Sequence, residues 1–343
     1  MTPLKQSKKI WTLAKDLGIR HIDNPVSDIL DYCEKKFRKF LKHASDCTTL
    51  SELLNWSAAM LGTVFEEIHS DADLMNLKNK YMKMGEKIFA ILEEQFTDEV
   101  CGITLERTNR EHWEPAFVSV IDCRGTRALM AYFTKWHELA HLLILTDQMR
   151  LSFKRTLHLP DKDPEEKLVD LIAGKFGFYA PLINPHISGE ISFEKINSLR
   201  ETLCSDASYL ASLLGFVKAW PEPCMLILCQ KALKKCEQGQ LCQGALSFKE
   251  QPVPVLRAVR VTQSDTARKN NFTIHRNMRV PEDSVIQSLQ EDGTVYAEAI
   301  EDLSWWQSSD GSVLPKFQIK VEAKKLWDDI YALISLSPPR QSN

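Results

Sequence analysis

The stretch from Ala128 to Leu145 constrains the fold more than any other part of the chain. It has the length and apolar content of a buried helix, yet Lys135, His137, Glu138 and His141 lie inside it. Burying imidazoles and a carboxylate without shared partners would cost several hydrogen bonds' worth of stability. A helix stacks residues i and i+4 on one face, so His137 and His141 stand one above the other and Glu138 lies beside the first. Two imidazoles placed this way reach one ion at ~2.0–2.1 Å. The glutamate between them is positioned to take a proton from a water next to that ion. The competing reading is a partly exposed helix with two incidental histidines, and the apolar positions around the motif in Met130–Leu145 weigh against it.

A third ligand has to come from elsewhere. The extended pattern with Gly at 144 and His at 147 is excluded, because the chain has Ile144 and Asp147 there. Downstream, Pro160-Asp161-Lys162-Asp163-Pro164 is a helix-start signal, and a helix is expected from about Glu165 to Tyr179. Glu166 and Asp170 fall one turn apart on one face of it. That spacing suits a glutamate ligand followed by an acid that hydrogen-bonds a ligating histidine and fixes its tautomer. Asp147 and Glu165 are alternative ligands, and acids at a helix start also favour the helix dipole with no metal at all.

The remaining organisation follows from periodicity. At 343 residues the chain is long for a single core. Residues 1–98 read as helical, with amphipathic stretches at Ile29–His43, Leu50–Ile68 and Leu74–Phe96. Val100–Leu105 and Phe117–Ile121 read as strands. Helical pattern returns through Ser192–Glu237, broken at Pro221 and Pro223. Beyond Gly239 come short β-favouring runs (253–261, 271–274, 284–289, 295–300, 317–321) and a closing helix, Ala323–Leu336. The expected class is α+β: an N-terminal helical region over 1–73, a site-bearing domain over 74–190, a helical connector over 191–240 and a mixed α/β module over 241–343.

Composition removes several function classes. Forty-three basic against forty-six acidic side chains leave a net charge of −3, so no whole-chain field draws nucleic acid or membrane. The lysines near the start are followed by an apolar stretch broken at Lys15 and Asp16, which is not the pattern of an export signal. No run approaches the roughly 18–20 apolar residues of a membrane span. The nine cysteines include no C-x-x-C pair, which argues against a zinc ribbon, a redox dithiol or a disulfide framework. A cytosolic protein without a membrane partner is expected. No P-loop, G-x-S-x-G or G-x-G-x-x-G occurs.

His137-Glu-Leu-Ala-His141, then Glu166-x-x-Val169-Asp170-x-Ile172-Ala173, then Ala180-Pro181, resembles the ImmA/IrrE metallopeptidases over roughly residues 75–185. Their pattern is H-E-x-x-H followed by E-x-x-A-N-x-F-A. The chain departs from it with Val169, Asp170 and Ile172, and with Ala140 where Gly is common. Asp170 in place of Asn makes the second segment similar to the E-x-x-x-D of gluzincins. The resemblance implies a gluzincin-like core with one Zn2+ per chain, held by His137, His141 and Glu166, with Glu138 as general base and Asp170 behind a ligating histidine. It also implies a cytosolic peptidase that cuts a helix-turn-helix repressor after DNA damage or phage attack, with a C-terminal sensor-like module.

Further expectations concern control and binding. A thiolate from Cys123, at the end of Phe117–Ile121 read as an edge strand, or from Cys101 would block zinc's fourth position and hold the peptidase off. That same strand would take up substrate backbone by strand addition. His158, Tyr179 and His186 are candidates for stabilising an oxyanion. Arg257, Arg260, Arg268, Lys269, Arg276 and Arg279, interleaved with Phe272 and His275, form a candidate patch for a single-stranded DNA activator. The blander alternative is a solvated face paired with the acidic stretch 282–302.

Overall fold

A computed structural model describes residues 4–42, 47–97, 99–146, 152–156, 163–234, 237, 253–307 and 313–336. The class is α+β. The chain divides into two compact units, Met1–Ile183 with Leu199–Ala211, and Asn184–Ser198 with Ser212–Asn343. The segments expected to separate at 73/74 therefore share one unit.

The first unit opens with α1 (Lys8–Asp16), α2 (Pro25–Leu41) and α3 (Leu50–Met60). Thr49 and Glu52 form a reciprocal capping box at the start of α3. The helix expected to continue to Ile68 stops at Met60, and Thr63–Ile68 is strand β1. Likewise the helix expected over 74–96 is α4 (Asp71–Lys83) followed by a 3-10 turn and the short α5 (Leu92–Gln95). Gly85, at φ +85°, supplies the left-handed backbone that turns the chain there. In both cases an apolar run was long enough for a helix, but a local stop signal divided it.

Strands β2 (Val100–Glu106), β3 (Phe117–Asp122) and β4 (Ser152–Thr156) complete a four-stranded sheet in the order β1-β3-β2-β4. β1 runs parallel to β3, and the other pairings are antiparallel. The strand expected at an edge, Phe117–Ile121, is thus interior, with both ladders already used. β1 and β4 are the edges among the described residues. Alternation sorts the two faces. Val64, Ile68, Ile103, Leu105, Val118 and Val120 pack with Leu74, Leu77, Tyr81 and Phe89 from α4 and the turn after it. The opposite face carries Thr63, Gly102, Thr104 and Ser119. Against it lies α6 (Ala131–Leu143), which packs on β2, β3 and β4 and, most extensively, on α7 (Pro164–Gly177). Asp163 caps α7 and Pro164 starts it, as the sequence signal predicts. Phe37 of α2 sits among Trp136, Phe176 and Tyr179, with ring centroids at 6.2, 4.5 and 5.2 Å. This cluster ties the N-terminal helices to the site-bearing helices and makes them one core.

A short α8 (Ala180–Ile183) ends the long segment of the first unit, and α9 (Phe193–Leu203) has residues assigned to each unit. After α10 (Tyr209–Ala219), Cys224–Ala232 is strand β5, where a helical connector was expected. It lies between β6 and β9 in an antiparallel sheet ordered β6-β5-β9-β8-β7, with β6 at Val255–Gln263, β7 at Tyr296–Asp302, β8 at Gln318–Leu326 and β9 at Asp329–Leu336. The closing helix is therefore a hairpin. Trp327 turns it at φ +57°, and Ile330, Ala332 and Ile334 alternate into the core with Ile319, Val321 and Ala323. Asn271–Ile274 forms no strand. The run at 284–289 belongs to a helix, Val285–Asp292, capped by Ser284, while a shorter one occupies Asp265–Lys269. Among the described residues no helix is long and apolar enough to cross a membrane.

Candidate metal centre

From Trp136 to Leu143 helix α6 is buried all round, which makes its polar residues decisive. His137, Glu138 and His141 are 1 %, 0 % and 2 % exposed. Buried polar groups of this kind persist only with partners, and the partners converge from α7. His137 Nε2 lies 3.2 Å from His141 Nε2 and 3.2 Å from Glu166 Oε2, and His141 Nε2 lies 3.4 Å from Glu166 Oε1. Tetrahedral ligands at ~2.0–2.1 Å from one ion stand about 3.3–3.4 Å apart, so the two imidazoles and the carboxylate, which faces them with one oxygen each, have the separations of side chains sharing a single cation. His137, His141 and Glu166 form a group able to hold a metal ion.

The other nitrogen of His137 supports the same reading. Nδ1 lies 3.0 Å from Asp170 Oδ1. With the Nδ1 proton donated to that carboxylate, Nε2 keeps its lone pair for the shared position. Burial, with His137 adding to it and Asp170 opposing, holds the His141 imidazole well below its ordinary pKa, and a neutral ring is the form that ligates. Glu165 stays outside the group. Burial and the neighbouring Asp163 and Glu166 raise its pKa against the opposing charge of Lys9. Asp147 and His158 lie outside the described residues.

Glu138 points to the sheet. Its Oε2 accepts a 2.7 Å hydrogen bond from Thr104 Oγ1, which is 2.7 Å from Ser119 Oγ, itself 3.0 Å from Thr63 Oγ1. All three hydroxyl residues are buried, so β1, β2 and β3 together hold the carboxylate in one orientation. Gly102 makes this approach feasible. A Cβ there would stand 2.6 Å from Thr134 Cγ2 and 3.0 Å from Glu138 Oε1. Thr63, Gly102, Thr104 and Ser119 belong to no motif of the sequence. Their trace in the sequence is the polar half of two alternating strands, Gly102/Thr104 and Ser119, facing a helix that already needed partners.

No protein-family model matches the chain, and no curated protein matches it in sequence. The likeness to the ImmA/IrrE peptidases therefore rests on the site residues themselves.

Several expected residues lie elsewhere. The Cys123 sulfur sits 3.8 Å from Glu67 Oε2, and burial, then Glu67, pushes its pKa up to about 12. Neither Cys123 nor the buried Cys101 joins the His137 group. The Tyr179 hydroxyl donates to Glu34 at 3.1 Å, which commits it to that carboxylate, and His186 falls in the second unit. The basic patch also changes. Phe272 is 1 % exposed and part of the second core, so it cannot stack on a base. The Arg257 guanidinium is buried, donating to the Ala232 and Asn277 carbonyls. Arg260, Arg268, Lys269, Arg276 and Arg279 are exposed, with Arg268 paired to Asp265 and Arg279 to Glu282.

Proposed function

We propose that this chain is a cytosolic zinc-dependent endopeptidase of the ImmA/IrrE kind, which cleaves a helix-turn-helix repressor in response to DNA damage or phage infection. The observation that carries the reading is the convergence of two Nε2 atoms and the Glu166 carboxylate within 3.2–3.4 Å of one another, with Glu138 buried on the same helix. A zinc ion at that position would polarise a scissile carbonyl and bring the pKa of water toward ~7. His137 and His141 hold the position, and Asp170 fixes the tautomer that lets them do so. Glu138, anchored by Thr104, takes the proton of the attacking water and delivers it to the leaving amine.

Substrate placement falls to β4. It pairs only with β2 among the described residues and lies against α6, so an extended peptide adding to its outer edge would run beside the metal position. The interior β3 has no edge left for this role. A nucleic-acid activator would be held by the exposed Arg260, Arg268, Lys269, Arg276 and Arg279 through phosphate contacts alone, and a steep loss of binding with salt is its signature.

The test has two parts. Elemental analysis of the purified chain should find a zinc equivalent that disappears in His141→Ala. Wild type should cleave its repressor, and Glu138→Gln should keep the metal while losing about 10²–10⁴-fold in rate. Metal bound without cleavage by wild type would point instead to a zinc-stabilised anti-repressor that sequesters its partner.

A further inference from the structure

A second group of metal-ligating side chains stands at the other end of β1. Alternation puts Glu67 and His69 on the same side of the chain as it leaves this strand. The parallel partner β3 ends in register, with Ile68 opposite Asp122, and the Cys123 amide donates to the Ile68 carbonyl at 2.8 Å. The sheet itself therefore brings the thiol beside the imidazole and the carboxylate. His69 Nε2 lies 3.4 Å from Glu67 Oε2, and Cys123 Sγ lies 3.8 Å from the same oxygen. The three ligand atoms fall within 4.8 Å of one another.

We propose that Glu67, His69 and Cys123 form a second cation site, for a zinc-class divalent ion. With Zn–S at ~2.3 Å and Zn–N or Zn–O near ~2.0–2.1 Å, tetrahedral ligands stand about 3.3–3.6 Å apart, which small side-chain adjustments reach from the distances above. The donor set selects the ion: a thiolate and an imidazole favour zinc, cobalt or copper over magnesium or calcium. Lys135 Nζ binds the other oxygen of Glu67 at 2.6 Å. It orients the carboxylate and leaves Oε2 directed at the shared position, the usual arrangement behind a ligating acid. Burial and the Glu67 carboxylate raise the Cys123 pKa, so ligation as a thiolate releases a proton to solvent. The His69 and Glu67 side chains are 64 % and 37 % exposed, which makes this a shallow site that exchanges its ion readily and leaves room for water as a further ligand.

The site is independent of the peptidase reading, and cobalt tells the two centres apart. The His137 group has no sulfur, whereas a thiolate on cobalt(II) gives an intense near-ultraviolet charge-transfer band. Cobalt titration of the metal-free full chain should show that band and two bound equivalents. His69→Ala, at an exposed position, should weaken binding at the second site by at least tenfold. Cys123→Ser should abolish the band and leave one equivalent. His137→Ala should also leave one equivalent but keep the band. Absence of the band in wild type, or its survival at full strength in both Cys123→Ser and His69→Ala, would overturn the proposal.

Discussion

Two charged segments of this chain have opposite fates. In α6 the polar side chains His137, Glu138 and His141 are inside, together with the apolar residues from Trp136 to Leu143. Between Arg257 and Arg279 most of the charges stay outside, Phe272 and Ile274 go into the core, and the one buried guanidinium, Arg257, is taken up by backbone carbonyls. Charge on a solvated face needs no further explanation, since water already solvates it. Imidazoles and a carboxylate sealed into a helix core do need one, because only specific partners offset their desolvation. The value of a polar residue as a sign of function thus depends on what the fold makes it give up.

Asp170 offers the most direct test of why the buried histidines are there. If the buried histidines exist to hold a cation, Asp170→Ala should weaken metal binding about 10–100-fold, read by competition with a chromogenic chelator. An unchanged affinity would reduce Asp170 to a helix-surface acid. A smaller, more selective effect is expected at Gly102. Gly102→Ala drives a methyl group against Thr134 and Glu138, so peptide hydrolysis should fall on the order of tenfold, about 1.4 kcal/mol of barrier, with metal affinity retained. Parallel loss of metal would mean that the strand, and not the carboxylate, had moved.

The second unit supplies a buried acid with no cation, which sharpens the contrast. Glu301 is 2 % exposed and accepts from Ser284 Oγ at 3.1 Å and the Val285 amide at 2.9 Å. Burial raises its pKa above 4.5 against those two bonds. The folded chain therefore keeps a proton that the unfolded chain has lost, and this contribution to stability declines as pH rises from 4.5 through the raised value. Unfolding free energies from urea titrations of the full chain over that range should fall by at most about 1.4 kcal/mol per pH unit on account of this group. Glu301→Gln should flatten that part of the slope. The smallest effect belongs to the solvated charges: Arg268→Ala, Lys269→Ala and Arg276→Ala should each stay within about 0.5 kcal/mol of wild type in the same measurement.

Legibility in the sequence followed the range of the interactions. The start of α7 at Asp163-Pro164 was readable because a cap is a matter of adjacent residues. The strands at 100–105 and 117–121 were readable from alternation, but the interior place of the second depended on β1, hidden in an apolar run that read as helix. Ala323–Leu336 read as a closing helix for a related reason: its apolar residues suit a helix face and a two-sided strand equally well, and the turn at Trp327 decided between them.

The spacing within the chain determined which side chains could hold a metal ion together. A helix of fixed pitch must stack His137 on His141 and Glu166 near Asp170, whatever surrounds them. Tertiary packing decided the rest: that Glu166 and not Glu165 completes the group, that the Cys123 thiol meets Glu67 and His69, and that three hydroxyls from three strands hold Glu138. Those contacts join residues 15 to 56 positions apart, distances over which only the pairing of strands and the docking of a helix on them select partners.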